Sequence, residues 1–449
     1  MRKKRRSKEI AVGFITLGCP KNTVDSERML AEIVQAGFII AEEPGEADVI
    51  VVNTCGFIRP AKEEAIETLR EAIGYKKRGR VKKVIAAGCL CERMGAPLLF
   101  KEVEGLDAIA GLGQRDNIVQ IIRDAIGSQE QRAYMEHVCA DVADDRTRLL
   151  VTARHWAYLR ISEGCDHSCS FCTIPAIRGR FKSKTEEMIL TEAEELASAG
   201  VVELNVIAQD TSYYGKDLQV KDGLSKLVGR LEKVAGIKWI RLMYMYPVGI
   251  TERLIETVRG SEKIVHYFDI PIQHINNRIL KDMRRPDTKE QICGLIERLR
   301  KAIPDIVLRT TVIVGFPGET DEEFGELVEF IRWAKFDALG CFGYYAEEGT
   351  KAAEMAGQVA EEVKRQRVDE LMTAQQEVAF SLNEKRVGTE IACLVDKMEK
   401  KGRGVGRFYG QAPEIDSLCV ISRCSGRIGE FIKAKVVGTS GYDLLVEQI

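Results

Sequence analysis

The sequence is short of net charge. Its 66 Lys and Arg face 68 Asp and Glu, leaving −2 over 449 residues, so nothing in the totals carries the cationic excess of tight, non-specific attachment to nucleic acid. It also lacks any apolar run of the roughly 18 residues that a membrane-crossing helix needs. The start "MRKKRRSKEIAVGFITLGC" sets a basic run before an apolar one, in faint likeness to a lipoprotein signal. That apolar part spans only Ile10 to Gly18, and Thr16 stands where such signals prefer leucine. The expectation is a cytoplasmic protein without membrane attachment, its residues Arg2 to Lys8 forming a solvated tail or an RNA contact.

A secreted disulfide framework is missing too. Thirteen cysteines, odd in number and mostly in apolar or glycine-rich surroundings, point in a chain this long to metal or catalytic roles in a reducing compartment. A last shortage lies in "EGCDHSCSFCTIP", where Cys165, Cys169 and Cys172 have no fourth cysteine beside them. A structural metal usually takes four protein ligands. Either a fourth comes from elsewhere, His167 being the candidate for zinc, or one metal position is left open. Thiolates suit both zinc and iron-sulfur clusters.

What is present is first a strand-helix alternation. "AVGFITLGC", "DVIVVNTC" and "KKVIAAGC" each read as a buried parallel strand ending in a small-residue turn with a cysteine, followed by helical stretches such as "DSERMLAEIVQAG". Cys19, Cys55 and Cys89 are 36 and 34 residues apart, about one strand-helix-strand unit. They are expected at the carboxyl ends of neighbouring strands, where open α/β sheets gather ligands, and so to share a metal. Cys91 competes with Cys89; Cys89 is preferred because it is the first turn residue, as in the other two units.

The alternation resumes with "HWAYLRIS", "VVELNVIAQD", "KWIRLMYMYP", "IVHYFDIPIQH", "IVLRTTVIVGFP" and "DALGCFGYY". Six such units predict a curved or barrel-like parallel sheet with function at the strand carboxyl ends. After a charged helix around Glu361 to Lys385, short alternating segments with Gly and Pro turns suit a small antiparallel β-barrel of the oligonucleotide-binding kind. The expected divisions are an N-terminal α/β domain over 9–127, a linker over 128–150, a central partial (βα)6 barrel over 151–378 and the small barrel over 379–449. Cys139, Cys293, Cys341, Cys393, Cys419 and Cys424 are expected to pack in cores or sheets.

At this point the motifs resemble a known family. C-x3-C-x2-C after the first barrel strand is the signature of radical S-adenosylmethionine (SAM) enzymes, and "SEGCDHSCSFCTIPAIRGR", "LGCPKNTVDSE", "NTCGFI" and "GCL" look like its methylthiotransferase branch. The small C-terminal barrel then corresponds to a TRAM domain. "IPIQHINNRILKDMRRP", "RTTVIVGFPGETDEEF", "YAEEGT" and "APEID" are similar to those members that modify an aspartate of a small-subunit ribosomal protein. "INNRIL" departs from the commoner form of its loop.

The resemblance implies two 4Fe-4S clusters. One, on Cys165, Cys169 and Cys172, leaves an iron for the methionine part of SAM, with Phe171 as a shield; its electron cleaves SAM to a 5′-deoxyadenosyl radical that takes hydrogen from the aspartate β-carbon. The other, auxiliary, on Cys19, Cys55 and Cys89, holds the sulfur; a second SAM supplies the methyl group. Gln209, Asp210 and Thr211, and Gly315, Pro317 and Gly318, become candidates for SAM contacts, with local turn structure as the plainer explanation. Gln273 and His274 become candidates for substrate contact. Expected partners are the ribosomal protein, free or in the ribosome, a flavodoxin- or ferredoxin-like electron donor and a sulfur donor, with RNA contact through the tail or the TRAM domain and a monomeric chain. The alternatives are an enzyme acting on a tRNA adenosine and a zinc-stabilised RNA-binding protein.

Overall fold

The computed structural model describes residues 10–135, 142 and 144–449. The basic tail and Cys139 lie outside these residues. Among them no helix is long and apolar enough to cross a membrane. The chain divides into two compact units, one made of residues 1–151, 163–167 and 173–182 and the other of 152–162, 168–172 and 183–449.

The first unit is built on a six-stranded parallel sheet of β1 (Ala11–Thr16), β2 (Ile39–Ile40), β3 (Val49–Thr54), β4 (Lys83–Gly88), β5 (Ala108–Ala110) and β6 (Arg132–Tyr134), in the order β2-β1-β3-β4-β5-β6. Strands β3 and β4 are buried along their whole length, as central parallel strands covered by helices on both faces must be. The two-residue alternation sorts their side chains. Ile50 and Val52 join one core with Val84 and Ala86, while Val49 and Val51 join the opposite core with Ile85 and Ala87. Within the stretch read as a linker, Arg132–Tyr134 forms the edge strand β6. Further on, Glu27 accepts from the backbone N–H of Val151 at 3.0 Å.

The second unit holds β7 (Trp156–Arg160), β10 (Glu203–Ile207), β11 (Trp239–Leu242), β12 (Ile264–Asp269), β13 (Val307–Val314) and β14 (Ala338–Gly343), and between β7 and β10 in the chain a short pair, β8 (Ser162–Glu163) and β9 (Lys182–Ser183), brackets the cysteine loop. The pair straddles the boundary between the units. Strands β7 and β10 to β14 pair in parallel in sequence order and do not close into a ring. All six expected strands are present. Helix Glu361–Arg386 follows, its Gln375 side chain donating to the Phe336 carbonyl at 2.7 Å.

The C-terminal barrel closes as β15 (Glu390–Met398), β16 (Gly404–Arg407), β17 (Cys419–Ser422), β19 (Asp443–Gln448) and β18 (Phe431–Ser440). It departs from the expected antiparallel barrel at one seam, where β17 and β19 run parallel. A closed ring with an odd number of strands cannot alternate direction throughout, so one parallel pair is required.

This barrel is also fastened under the parallel sheet. Its segment Arg407–Asp416 brings carboxylates and carbonyls to side chains of β7, β11 and β12. Glu414 accepts from the Tyr158 hydroxyl at 3.0 Å and Asp416 from the Tyr267 hydroxyl at 2.7 Å. Arg241, fully buried, donates to the Tyr409 carbonyl at 2.6 Å and to Glu203 at 3.0 and 3.1 Å. Arg407 reaches Glu203 at 2.7 Å and Asp396, which also meets His155 at 2.7 Å. Buried charges persist only when paired, and here two of the pairs, Arg407 with Glu203 and Asp396 with His155, tie a barrel residue to the sheet side.

Candidate functional site

In the first unit the three dispersed cysteines come together. Cys19 caps helix Pro20–Gln35, its carbonyl accepting from Asn22 N–H at 2.8 Å; Cys55 follows β3, and Cys89 opens helix Cys89–Met94 after β4. The turns approach so closely that side chains are excluded. Gly18 has φ +94° and a Cβ there would stand 2.8 Å from the Cys55 Cβ; Gly88 has φ +92° and its Cβ would stand 2.2 Å from Asn53 Oδ1. Both conformation and space therefore require glycine.

The thiols sense one another. Burial raises the Cys55 pKa, the Phe57 and Gly56 N–H groups oppose it, and repulsion from Cys19 adds to it. Burial pushes Cys89 up to about 12, against the pull of Arg178 and with Cys19, Cys55 and Asp25 adding to the rise. Cys91 has different surroundings. It is fully buried in the core with Leu90 and Ile109, and its pKa is raised chiefly by burial and then by Glu92, with the Thr54 hydroxyl and the Ala110 backbone opposing the rise. Among the described residues no three His, Cys, Asp or Glu side chains close on a single ion. Ligands spread around a cluster of several metals have no need to, because each thiolate binds a different iron.

The loop with the other trio contributes to both units. Cys165, in the first, is buried, its N–H donating to the Gly179 carbonyl at 3.1 Å. In the second, Cys169 Sγ lies 2.8 Å from the Tyr246 hydroxyl, and Cys172 N–H donates to the Cys169 carbonyl at 3.2 Å. Ser170 pins the loop, its N–H on the Met283 carbonyl, its hydroxyl on the Asp282 carbonyl and its own carbonyl accepting from Ala352 N–H. Phe171 packs against Ile279, Met283, Phe316, Tyr344 and Ala352.

The remaining candidates sit at the strand carboxyl ends. Asp210 and Thr211 stitch the turn after β10 to the turn after β11. The Thr211 N–H donates to the Tyr244 carbonyl at 3.0 Å and its hydroxyl to that of Met243, while Asp210 accepts from Ser212, whose oxygen accepts in turn from Tyr246 N–H. The turn through Gly315, Pro317 and Gly318 wraps the fully buried carboxylate of Glu319, which accepts from Gly315 N–H at 2.9 and 3.0 Å and from Arg367 at 2.7 Å. A Cβ on Gly315 would meet Lys364 Cγ at 2.4 Å, so a protein side chain occupies the space there. Gln273, at φ +70°, bridges to β13 through Thr311 and Ile313. His274 is fully buried with Nε2 3.5 Å from Glu319 and Nδ1 accepting from Asn276 N–H. It therefore supports the Glu319 turn rather than facing the rim.

Family models match this architecture in three pieces: the uncharacterized protein family UPF0004 over residues 11–111, the radical SAM superfamily over 159–331 and the TRAM domain over 387–449. Among curated proteins the chain is 46% identical over 444 residues to the ribosomal protein uS12 methylthiotransferase RimO of Pelotomaculum thermopropionicum, covering 98% of this chain and 99% of the relative. The protein of that name from Desulforamulus reducens is 43% identical over 440 residues, covering 97% and 99%. The chain belongs to the RimO family. Of solved structures, the radical SAM methyltransferase TsrM of Kitasatospora setae, with cobalamin and a [4Fe-4S] cluster bound, matches with TM-score 0.57, 14% identity and 77% of each chain covered. At that identity the likeness speaks for the fold alone.

Against this RimO frame, sequence reasoning misses the residues that hold the three cysteine turns of the first unit. Asn22 donates to the Leu17, Asn53 and Thr54 carbonyls, and Asn53 returns a bond to the Asn22 carbonyl at 3.0 Å and another to Ser26 at 2.8 Å. Tyr246 is missed as well, with the Arg285 guanidinium 3.6 Å from its ring centroid. The available signal was Asn53, a polar residue near the end of the otherwise apolar run 49–52, whereas Asn22 stands among polar neighbours.

Proposed function

We propose that this RimO-family chain replaces a hydrogen on the β-carbon of an aspartate of ribosomal protein uS12 by a methylthio group. The observation that carries the reading is the likeness to uS12 methylthiotransferases along 97–98% of the chain. The two cysteine trios support it, because each falls one short of the four ligands that a cubane cluster accepts. Cys19, Cys55 and Cys89 hold the auxiliary cluster, and Cys165, Cys169 and Cys172 the radical one. When bound, the clusters and SAM supply the one-electron chemistry and the sulfur that an unactivated C–H bond demands.

The protein's own part is placement. Gly18 and Gly88 let three thiol-bearing turns converge, while Asn22 and Asn53 fix them. Tyr246 orients Cys169, and Ser170 fixes the loop between Cys169 and Cys172. The turn of Gln209, Asp210 and Thr211 and that of Gly315, Pro317 and Gly318 border the SAM side of the rim, held by the Met243–Tyr246 segment and by Glu319. Gln273 borders the substrate, with His274 acting through Glu319. A flavodoxin or ferredoxin delivers electrons to a monomeric enzyme, and a separate donor replenishes sulfur. At the C-terminal barrel Lys400, Lys401, Arg403, Arg423 and Arg427 are exposed on two loops joined by Cys424 N–H to the Gly402 carbonyl, suited to RNA beside a ribosomal substrate.

The test is anaerobic incubation with SAM and reductant, once with uS12 and once with tRNA, followed by mass spectrometry. The expected product is uS12 carrying a methylthio group on one aspartate. Modified tRNA adenosine beside unmodified uS12 contradicts the reading.

A further inference from the structure

Arg178 lies in the tight helix Ile174–Arg178, six residues beyond Cys172, in a segment that packs with the first unit. It is 4% exposed, deep enough that its charge needs partners. Nη1 donates to Glu163 at 3.0 Å, and Nη2 donates to Asp25 at 3.0 Å and lies 3.3 Å from Cys89 Sγ. Asp25 is itself held by Arg115 at 3.2 Å, and Arg115 by Asp145 at 2.9 Å. Two carboxylates thus hold the guanidinium, and the Nη2 that reaches Asp25 has its second N–H for a sulfur.

We propose that Arg178 is a positioning residue of the sulfur-supplying site, donating a hydrogen bond to the Cys89 thiolate and tuning the cluster that Cys19, Cys55 and Cys89 hold. The inference rests on that assignment of the three cysteines. A plain anchoring role for the segment is served by Glu163 and Asp25 alone and gives no reason for an arm on Cys89. A cation and an N–H donor at a ligand sulfur draw electron density from the cluster and make it easier to reduce. The same residue stands on the loop of the radical trio, so the chain that supplies the radical ligands also sets the electronic state of the sulfur site.

The test uses the full chain with Cys165, Cys169 and Cys172 all changed to Ala, so that only the auxiliary cluster gives a signal. Iron content and midpoint potential are read after anaerobic reconstitution. With Arg178→Gln, about four irons per chain remain and the potential falls below that of the parent; Arg178→Lys recovers part of the fall. Glu163→Gln leaves the guanidinium less neutralised and raises the potential, a shift of opposite sign that a scaffold role does not produce. An unchanged potential in Arg178→Gln overturns the proposal, as does equal loss of iron in the Gln and Lys variants or a fall with Glu163→Gln. Cys89→Ala is the control: full iron retention there removes the ligand assignment itself, whereas iron loss there beside an unshifted Arg178→Gln removes only the role of Arg178.

Discussion

Arg407 fastens the C-terminal barrel to the parallel sheet, and its replacement tests whether the two form one cooperative body. Its guanidinium is 4% exposed and meets Glu203 at 2.7 Å, Asp396 at 2.8 and 2.9 Å and the Gln411 carbonyl at 3.3 Å. Arg407→Met keeps much of the stem packing and removes the charge. Breaking a buried ion pair from one side costs about 3–5 kcal/mol. Glu203 keeps Arg241, and Asp396 keeps His155, so the lower end of that range, about 3 kcal/mol, applies. At about 2–4 °C per kcal/mol for domains of this class, Tm falls by roughly 6–12 °C. Calorimetry should record this in a single transition for barrel and sheet. A loss below about 1 kcal/mol, the worth of a solvent-screened pair, or a barrel that melts on its own, would refute the reasoning.

Tyr246→Phe removes the hydroxyl 2.8 Å from Cys169 Sγ while keeping the ring under Arg285; reductive SAM cleavage should slow by about 10-fold with iron retained, following the usual scale of support around a ligand, as measured by 5′-deoxyadenosine release. Gly88→Ala, blocked by φ +92° and by Asn53 Oδ1, should lose about half of the iron, from the auxiliary site alone. For Asp396, burial acts to raise the pKa, but hydrogen bonds from His155 and Arg407 outweigh it and leave the carboxyl below its ordinary value of 3.8. A depressed folded pKa gives stability that is full above the unfolded value and is lost as pH falls through the folded one. Below about pH 4, Tm should therefore fall more steeply in the parent than in Asp396→Asn.

The parallel sheets were legible because their central strands are buried on both faces, and runs such as "DVIVVNT" declare it without reference to anything distant. The position of Cys19, Cys55 and Cys89 followed from the regular length of the strand-helix units. The fastening beneath the second sheet was not legible. Glu203 and Arg407 are 204 residues apart, and each alone reads as a surface charge; only their strand positions, inside "VVELNVIAQD" and "GVGRFYG", hint that they face inward. Tyr246 lies at the end of the run "KWIRLMYMYP", so nothing local separates it from packing aromatics. His274 looked like a rim residue because it follows a strand, yet the chain turns through Gln273 at φ +70° and carries it into the interior beside Glu319.

The central claim is a division of labour between two trios, each with a metal position free. Paired variants, Cys169→Ala and Cys55→Ala, measured for iron, SAM cleavage and product, test it most directly. The parent should hold about eight irons and each variant about four. Cys169→Ala should cleave no SAM, while Cys55→Ala should still cleave SAM and transfer no sulfur to uS12. Cleavage persisting in Cys169→Ala, or methylthiolated uS12 formed by Cys55→Ala, would contradict the account.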